Sequence, residues 1–221
     1  MNIILFGATG MVGQGVLREC VLAGDVDNVL AIGRTATAQQ HAKLQEIVRS
    51  DLFDLSPIES RVSGFDACFF CLGVSAAGMS EQDYRRVTYE LTISVAKTLA
   101  RLNPGMTFIY VSGAGTDSTE RSRMMWARVK GKTENDLLKM PFRAAYMFRP
   151  GYIQPLHGIR TKTKWYGVLY AVMGPLYPLW NRLLPKYVTT TECVGRAMLN
   201  VVRHGAPKRV LENRDINGLC S

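Results

Sequence analysis

The sequence has few of the features that mark secreted, fibrous or membrane-spanning proteins. Its five cysteines are an odd number scattered along 221 residues, so they predict no disulfide framework. Proline- and serine-rich linkers are absent, and the start, MNIILFGATG, has neither a basic segment nor a small-residue cleavage site. The hydrophobic fraction of 47% is ordinary for a globular chain. We therefore expect a single domain over residues 1–221 and a cytoplasmic location.

Motifs for metal and nucleic-acid binding are also missing. The three histidines, His41, His157 and His204, lie far apart in unrelated contexts, so no metal site is expected. Cys68 and Cys71 fall in the apolar run DACFFCLG, where a strand would direct them to opposite faces, which favours burial over a redox role. No recognition helix or RNA-binding aromatic motif is present, so no nucleic-acid partner is expected.

Negative charge is scarce in the second half of the chain. Residues 1–120 carry 9 Lys and Arg against 13 Asp and Glu, a balance of −4, whereas residues 121–221 carry 18 against 5, a balance of +13. Such a basic field would attract an anionic cofactor, an anionic lipid surface or a nucleic acid, and a merely solvated basic face explains it equally well.

Apolar runs of strand length alternate with helical patterns over the first 150 residues. This alternation predicts an α/β fold with a doubly wound parallel sheet and right-handed crossovers, followed by a small C-terminal helical region on the substrate side over 152–221. The predicted strands are 3–6, 29–32, 46–48, 67–72, 108–111 and 145–148, and the clearest predicted helices are 12–22, 84–100 and 124–138.

Residues 5–15, LFGATGMVGQG, place three glycines between the first strand and the first helix. Gly7 would let the chain turn, Gly10 would let the backbone approach phosphates, and Gly13 would let the helix pack on the sheet. A pyrophosphate can bind at such a helix N-terminus, so we predict a dinucleotide cofactor; a structural turn is the alternative. The predicted contacts from this loop are Gly7, Ala8, Thr9, Gly10, Met11, Val12 and Gly13.

The ends of the next two strands refine the cofactor. Arg34 in VLAIGRT lies about twenty residues beyond the loop, where a basic side chain receives the 2′-phosphate of NADP and a carboxylate would favour NAD. NADP (NADPH) is therefore predicted and NAD is less favoured. Asp51 and Leu52 follow the third strand, where a carboxylate can accept from the adenine amino group, although a surface turn explains them equally well.

Seven motifs then stand in a fixed order from Met1 to about Gly151: GATGMVG, AIGRT, SDLFD, CLGVS, YVSGAG, VKGKTE and FRPG. Together they resemble the atypical short-chain dehydrogenase/reductase superfamily, in the branch of small NADP-binding proteins that includes the human Tat-interacting protein. The resemblance implies a Rossmann-type fold and an oxidoreductase function. It also implies cofactor contacts from Leu72, Gly73, Lys130 and Pro150.

Members of that superfamily use a serine, a tyrosine and, four residues later, a lysine for proton transfer and ribose binding. Ser112 matches the serine and Lys130 matches the lysine, so the resemblance implies that both are catalytic. Trp126 stands where the tyrosine is expected, and an indole N–H is no acid or base near neutral pH. Tyr152, after FRPG, is our candidate for the missing proton donor, and His157 is a second candidate.

The stretch 165–180, WYGVLYAVMGPLYPLW, has no charge but is too short and too proline-rich to cross a bilayer. It suits a pocket lid, a subunit interface, or peripheral membrane contact through residues 165–184. Two functions follow from the whole sequence. The first is an NADP-dependent oxidoreductase acting on a small or apolar carbonyl compound; the second is a catalytically silent NADP(H)-binding sensor or scaffold contacting a membrane or protein partner.

Overall fold

Parallel strands form the centre of the fold. The structure, a computed structural model, describes residues 1–159 and 186–220. The described strands are β1 Asn2–Phe6, β2 Asn28–Gly33, β3 Leu44–Val48, β4 Ala67–Phe70, β5 Thr107–Val111, β6 Ala144–Arg149, β7 Tyr152–Gln154, β8 Val188–Thr190 and β9 Val210–Glu212. The main sheet has the order β3-β2-β1-β4-β5-β6-β9 with every neighbouring pair parallel, and β7 and β8 form a separate pair.

Helices cover both faces of this sheet. The described α-helices are α1 Met11–Leu22, α2 Glu81–Arg85, α3 Leu91–Leu102, α4 Met125–Leu137, α5 Thr191–His204 and α6 Asn213–Gly218. A π-helical turn, Arg86–Glu90, joins α2 to α3. Leu17 and Val194 bring α1 and α5 into the core on one face, and Leu99 and Leu137 bring α3 and α4 into the core on the other. The inner strands are apolar because both of their faces are buried.

The doubly wound α/β fold expected from the sequence is confirmed. All six predicted strands and all three predicted helices are present, with ends that differ by at most three residues when the predicted helix 84–100 is compared with the continuous run of α2, the π-helical turn and α3. The expected C-terminal helices are α5 and α6, but this part of the chain is not confined to the substrate side. β9 extends the main sheet beside β6, and α5 packs on α1. Residues 186–220 therefore largely complete the core of the domain.

The pairing of α1 with α5 depends on two glycines at their contact. A Cβ on Gly15 would lie 2.6 Å from the Thr191 side chain, and one on Gly195 would lie 2.8 Å from the Glu19 side chain. The helices therefore approach more closely than alanine would permit at these positions. Helix α5 begins at a conventional cap, since Thr190 Oγ1 accepts from Cys193 N at 2.9 Å.

One cysteine prediction needs correction, because Cys193 and Cys220 form a disulfide with their Cα atoms 5.0 Å apart. The sequence could not show this pairing, which depends on α6 returning the chain to the first turn of α5. The burial predicted for Cys68 and Cys71 on opposite faces is confirmed. Cys68 is buried in the core on one face of the sheet, and Cys71 is half-buried against the core on the other face. Burial raises the pKa of the Cys71 thiol to about 12, so it is unreactive at neutral pH.

The aromatic stretch 165–180 lies outside the described residues, and so does the rest of the segment 165–184 for which membrane contact is predicted. Within the two described ranges, none of the helices combines the length and the apolar character needed to cross a bilayer.

Candidate functional site

The glycine loop after β1 is built from close backbone contacts. Gly7 has a φ of +81°, and a Cβ there would lie 2.7 Å from the Cys71 carbonyl. A Cβ on Gly13 would lie 2.0 Å from Gly7 O, so Gly13 is needed where α1 crosses the loop. Gly10 is the N-cap of α1, which has no side-chain cap and no acidic residue in its first turn. The start of the helix therefore remains open to an anion, and the loop fits a pyrophosphate.

The loop opens into a cleft of about 840 Å³ at the carboxyl ends of the strands. This is where ligands bind in doubly wound sheets, at the switch in strand order between β1 and β4. The cleft brings together most of the predicted site residues, namely Gly7, Ala8, Thr9, Gly10, Met11, Val12, Arg34, Leu72, Gly73, Ser112, Lys130, Pro150 and Tyr152.

Several predicted residues are not among the described lining of the cleft. Gly13 lies beneath the loop, as its packing role requires. Asp51 Oδ1 accepts from Phe53 N at 2.8 Å and Leu52 is buried in the core, so the structure favours the turn rather than an adenine contact. Trp126 packs against the Gly113–Thr116 loop, where its ring would lie 3.1 Å from a Cβ on Gly115. His157 lies on the surface, with Nε2 2.6 Å from Glu192 Oε2.

One end of the cleft carries an available cation. Arg34 is exposed just after β2, and its guanidinium makes no hydrogen bond or ion pair within residues 1–159 and 186–220. Glu46 on β3, which was not predicted as a site residue, accepts from Thr37 N at 2.7 Å and so holds the loop after Arg34. Both Thr37 and Glu46 line the cleft. Glu46 is recognised as a lining residue only because β3 pairs with β2 so that Glu46 lies opposite Ala31. The sequence of β3 by itself does not show that register.

The other end is built on β5 and α4. Ser112 is buried at the end of β5, and its carbonyl accepts from the Lys130 ammonium. Burial lowers the pKa of Lys130 to about 8, and the negative charge of Glu134 opposes that shift. Ser112 Oγ lies 2.5 Å from Glu134 Oε1, and Glu134 is in turn paired with Arg149. Glu134 and Arg149 lie in the VKGKTE and FRPG motifs but were not predicted as site residues.

Tyr152 closes this end from the strand β7. Its O–H donates to Gln154 Oε1 at 2.9 Å, and burial raises the pKa of its phenol. Asn213 on α6 fixes the preceding backbone, since its Oδ1 accepts from Gly151 N at 2.8 Å and its Nδ2 donates to Val188 O at 3.0 Å. The phenol therefore stays protonated at neutral pH and is placed on the cleft by the C-terminal part of the chain.

Comparison with known proteins identifies the family of this chain. A family described as NAD(P)H-binding matches residues 7–140, which contain the glycine loop, Ser112 and Lys130. The chain belongs to the NAD(P)H-binding family. The expected family of nucleotide-binding, Rossmann-type proteins is thus confirmed at this level.

The proteins similar to this NAD(P)H-binding chain include fungal proteins whose names state a cell compartment. The protein named FMP52, mitochondrial, of Eremothecium gossypii is 32% identical over 155 residues, covering 69% of this chain and 66% of the relative. The corresponding protein of Emericella nidulans is 27% identical and covers 90% of this chain and 86% of the relative. The first match covers slightly under two thirds of the relative's own length. These names contradict the expected cytoplasmic location, which is withdrawn.

Solved structures confirm the fold of this family member. The dTDP-glucose 4,6-dehydratase DesIV of Streptomyces venezuelae, crystallised with NAD and TYD, has a TM-score of 0.67 at 15% identity, over 100% of this chain and 80% of that chain. A short-chain dehydrogenase family protein of Francisella tularensis has a TM-score of 0.66 at 13% identity, over 92% and 91%. At such identities the likeness shows the fold alone, a Rossmann-like α/β architecture.

Proposed function

We propose that this protein is an NADP(H)-dependent oxidoreductase acting on a small or apolar carbonyl compound. The observation that supports it best is the single cleft joining the glycine loop, Arg34 and Lys130. A cofactor lying along this cleft would place its pyrophosphate at the start of α1, and its two ends at Arg34 and at Lys130. Membership of the branch that includes the Tat-interacting protein is part of this proposal and rests on the seven ordered motifs.

Preference for NADP over NAD rests on Arg34. Its guanidinium has no partner among the described residues, so a 2′-phosphate could engage it without breaking an existing ion pair. Glu46 is the carboxylate among the described lining residues, and it already accepts from Thr37 N. Several of the similar solved structures contain NAD, and those proteins are at most 15% identical to this chain.

At the other end, the residues suit proton transfer. NADPH, when bound, supplies the hydride for carbonyl reduction. Lys130 would bind the ribose hydroxyls through its ammonium, and Ser112 would hold that ammonium through its carbonyl. Tyr152, protonated at neutral pH because burial raises the pKa of its phenol, would donate the proton to the substrate oxygen.

The second candidate function is a catalytically silent NADP(H)-binding sensor or scaffold. Trp126 favours it, because the residue in the family's tyrosine position packs on the Gly115 loop and is not in the described lining of the cleft. Membrane or protein contact through residues 165–184 belongs to this candidate and stays a prediction.

A fluorescence titration with NADPH and NADH tests the proposal. For Arg34→Ala we expect NADPH binding to weaken about tenfold or more and NADH binding to change little, because only the 2′-phosphate contact is lost. Arg61→Ala is the matched control, since Arg61 is an exposed arginine outside the cleft lining. Equal affinity for both cofactors in the native protein would refute the NADP preference.

A carbonyl-compound panel assayed with NADPH then separates the two functions. Tyr152→Phe should abolish turnover while NADPH still binds, because only the proton donor is removed. If the native protein binds NADPH and reduces none of the panel, the silent sensor becomes the better explanation.

A further inference from the structure

Glu134 is a buried carboxylate to which the proposed mechanism gives no role. Its side chain is 0% exposed on α4, one helical turn beyond Lys130. A charge at such a site is retained only where it is paired. Arg149 provides the pair, with Nε at 3.0 and 3.2 Å from the two carboxylate oxygens and a second nitrogen also donating to Oε2.

Ser112 is tied to this ion pair through its hydroxyl. Oγ lies 2.5 Å from Glu134 Oε1 and 3.1 Å from Phe148 O. A serine hydroxyl has one proton, and an ionised carboxylate is the stronger acceptor of the two. The proton of Ser112 therefore points at Glu134, and the hydroxyl offers a ligand in the cleft only its lone pairs.

Lys130 lies between this network and the cleft. Ser112 presents a neutral carbonyl to it from the end of β5, Glu134 presents a negative charge from its own helix, and Tyr152 presents a phenol from β7. The other charged lining residues are Arg34, directly after β2, and Glu46, in the middle of β3. β2 is three strands from β5, about 14 Å away at the usual strand spacing.

We propose that Glu134 is a positioning residue of the cleft: its carboxylate receives the hydrogen bond of the Ser112 hydroxyl and keeps the Lys130 ammonium charged where a nicotinamide ribose would bind. The role at the ribose rests on the proposed function. Ser112 then acts by holding Lys130 and does not donate to a substrate oxygen. The pKa of Lys130, lowered to about 8 by burial, would fall further without Glu134.

The decisive measurement is the apparent pKa of Lys130 without cofactor. Competitive labelling with acetic anhydride between neutral and strongly alkaline pH, read by peptide mass spectrometry, gives this value for a single lysine. In Glu134→Gln we expect it to fall by about one pH unit, because the nearest negative charge is lost. A folded Glu134→Gln protein with the native pKa for Lys130 overturns the proposal.

Asp136→Asn is the matched control. Asp136 lies on the same helix and accepts from Lys132 at 3.0 Å, four residues earlier, but it does not contact the Ser112 network. The apparent pKa of Lys130 should therefore stay at the native value. If the apparent pKa of Lys130 falls as much in Asp136→Asn as in Glu134→Gln, removal of any negative charge from α4 has this effect. That result would also overturn the proposal.

Two further variants cover the case in which Glu134→Gln leaves Arg149 unpaired and the protein unfolded. Glu134→Gln combined with Arg149→Met removes both charges, and Lys130 should still titrate below its native value. Ser112→Ala keeps the ion pair but takes a donor from Glu134, so its thermal midpoint should fall by about 2 to 6 °C. An unchanged midpoint would mean that the hydroxyl does not serve Glu134.

Cofactor binding supplies the second readout. NADPH affinity of the native protein should fall about fivefold as pH rises through about 8, because a neutral amine is the weaker donor to ribose, and in Glu134→Gln this fall should begin at lower pH. Failure of the native protein to bind NADPH would refute the proposed function. It would not affect the labelling result, which needs no cofactor.

Discussion

Gly13 shows how much one residue contributes to this site. We expect Gly13→Ala to lower the free energy of unfolding by about 1 to 3 kcal/mol, because the new methyl group would lie 2.0 Å from Gly7 O. Displacement of the loop should also weaken NADPH binding more than tenfold. Gly24→Ala is the control, since a Cβ there meets nothing within 4 Å and should change stability by less than about 0.5 kcal/mol. Denaturant unfolding and NADPH titration measure both effects.

Residues that touch the cleft were easier to predict than residues that support them. The glycines and Arg34 belong to a motif with fixed spacing, so their place at the carboxyl ends of the strands followed from the sequence, and the family resemblance supplied Lys130. Glu134 and Arg149 became recognisable only when α4 and β6 were brought together, because a buried ion pair has no local signature. Asp51 shows the converse, since a carboxylate at the expected place forms a turn instead.

At the scale of elements, the disulfide links the first turn of α5 to the segment after α6. We expect Cys220→Ser to lower the free energy of unfolding by about 3 kcal/mol, because the bond closes a loop between residues 27 apart. Thermal unfolding with and without dithiothreitol measures this. The reductant should lower the midpoint of the native protein and leave that of Cys220→Ser unchanged; an equal midpoint in both proteins without reductant would contradict the link.

Helix α6 also supports one end of the cleft, although it does not line the cleft itself. Asn213→Ala should reduce turnover more than it reduces NADPH binding, because Asn213 bridges Gly151 and Val188 beside Tyr152 and does not line the cleft. The readout is the fold decrease in kcat divided by the fold increase in the NADPH dissociation constant, and this ratio should exceed one. Asn135→Ala, which removes an amide that contacts Ser118 and Glu120 instead, is the comparison variant and should leave the ratio at one.

Elements up to β6 were predictable because each has a clear apolar period bounded by glycine or polar residues. The elements β7, β8 and β9 have only three residues each, too few to show a period. Helix α5 has a strongly amphipathic pattern and a threonine cap that could have revealed it. Its partner on α1 is far away in sequence, so the contact itself had no local signal.

At the scale of the whole molecule, the acidic first half and the basic second half are joined by ion pairs. Arg203 donates to both carboxylate oxygens of Asp25, and Arg196 contacts Glu19 at 3.3 Å. Arg128 pairs with Glu81 at 2.7 Å across the α2–α4 contact. Some of the excess positive charges of residues 121–221 are therefore paired with carboxylates of residues 1–120. The single-domain assignment of residues 1–221 stays a prediction.

The pairing of the two halves should make stability depend on pH. The hydrogen bond from Arg203 lowers the pKa of Asp25, so this pair stabilises the protein above the unfolded pKa of the carboxyl, and the stabilisation is lost as pH falls through the folded pKa. A double-mutant cycle with Asp25→Asn and Arg203→Met should give a coupling below about 1 kcal/mol at neutral pH, because the Asp25 side chain is half exposed. A coupling that persists in strong acid would contradict this origin.

The late position of β9 and α6 in the chain has a consequence for biosynthesis. β6 gains its outer neighbour, and Gly151 N gains Asn213 Oδ1 as its hydrogen-bond acceptor, only after residues beyond 209 have been synthesised. A nascent chain that has already made the glycine loop and Lys130 still lacks the edge that supports Tyr152. Translation should therefore complete the glycine loop first and the Tyr152 end of the cleft last, so we expect a ribosome-stalled chain ending before β9 to bind nucleotide while Tyr152 is not yet held in place.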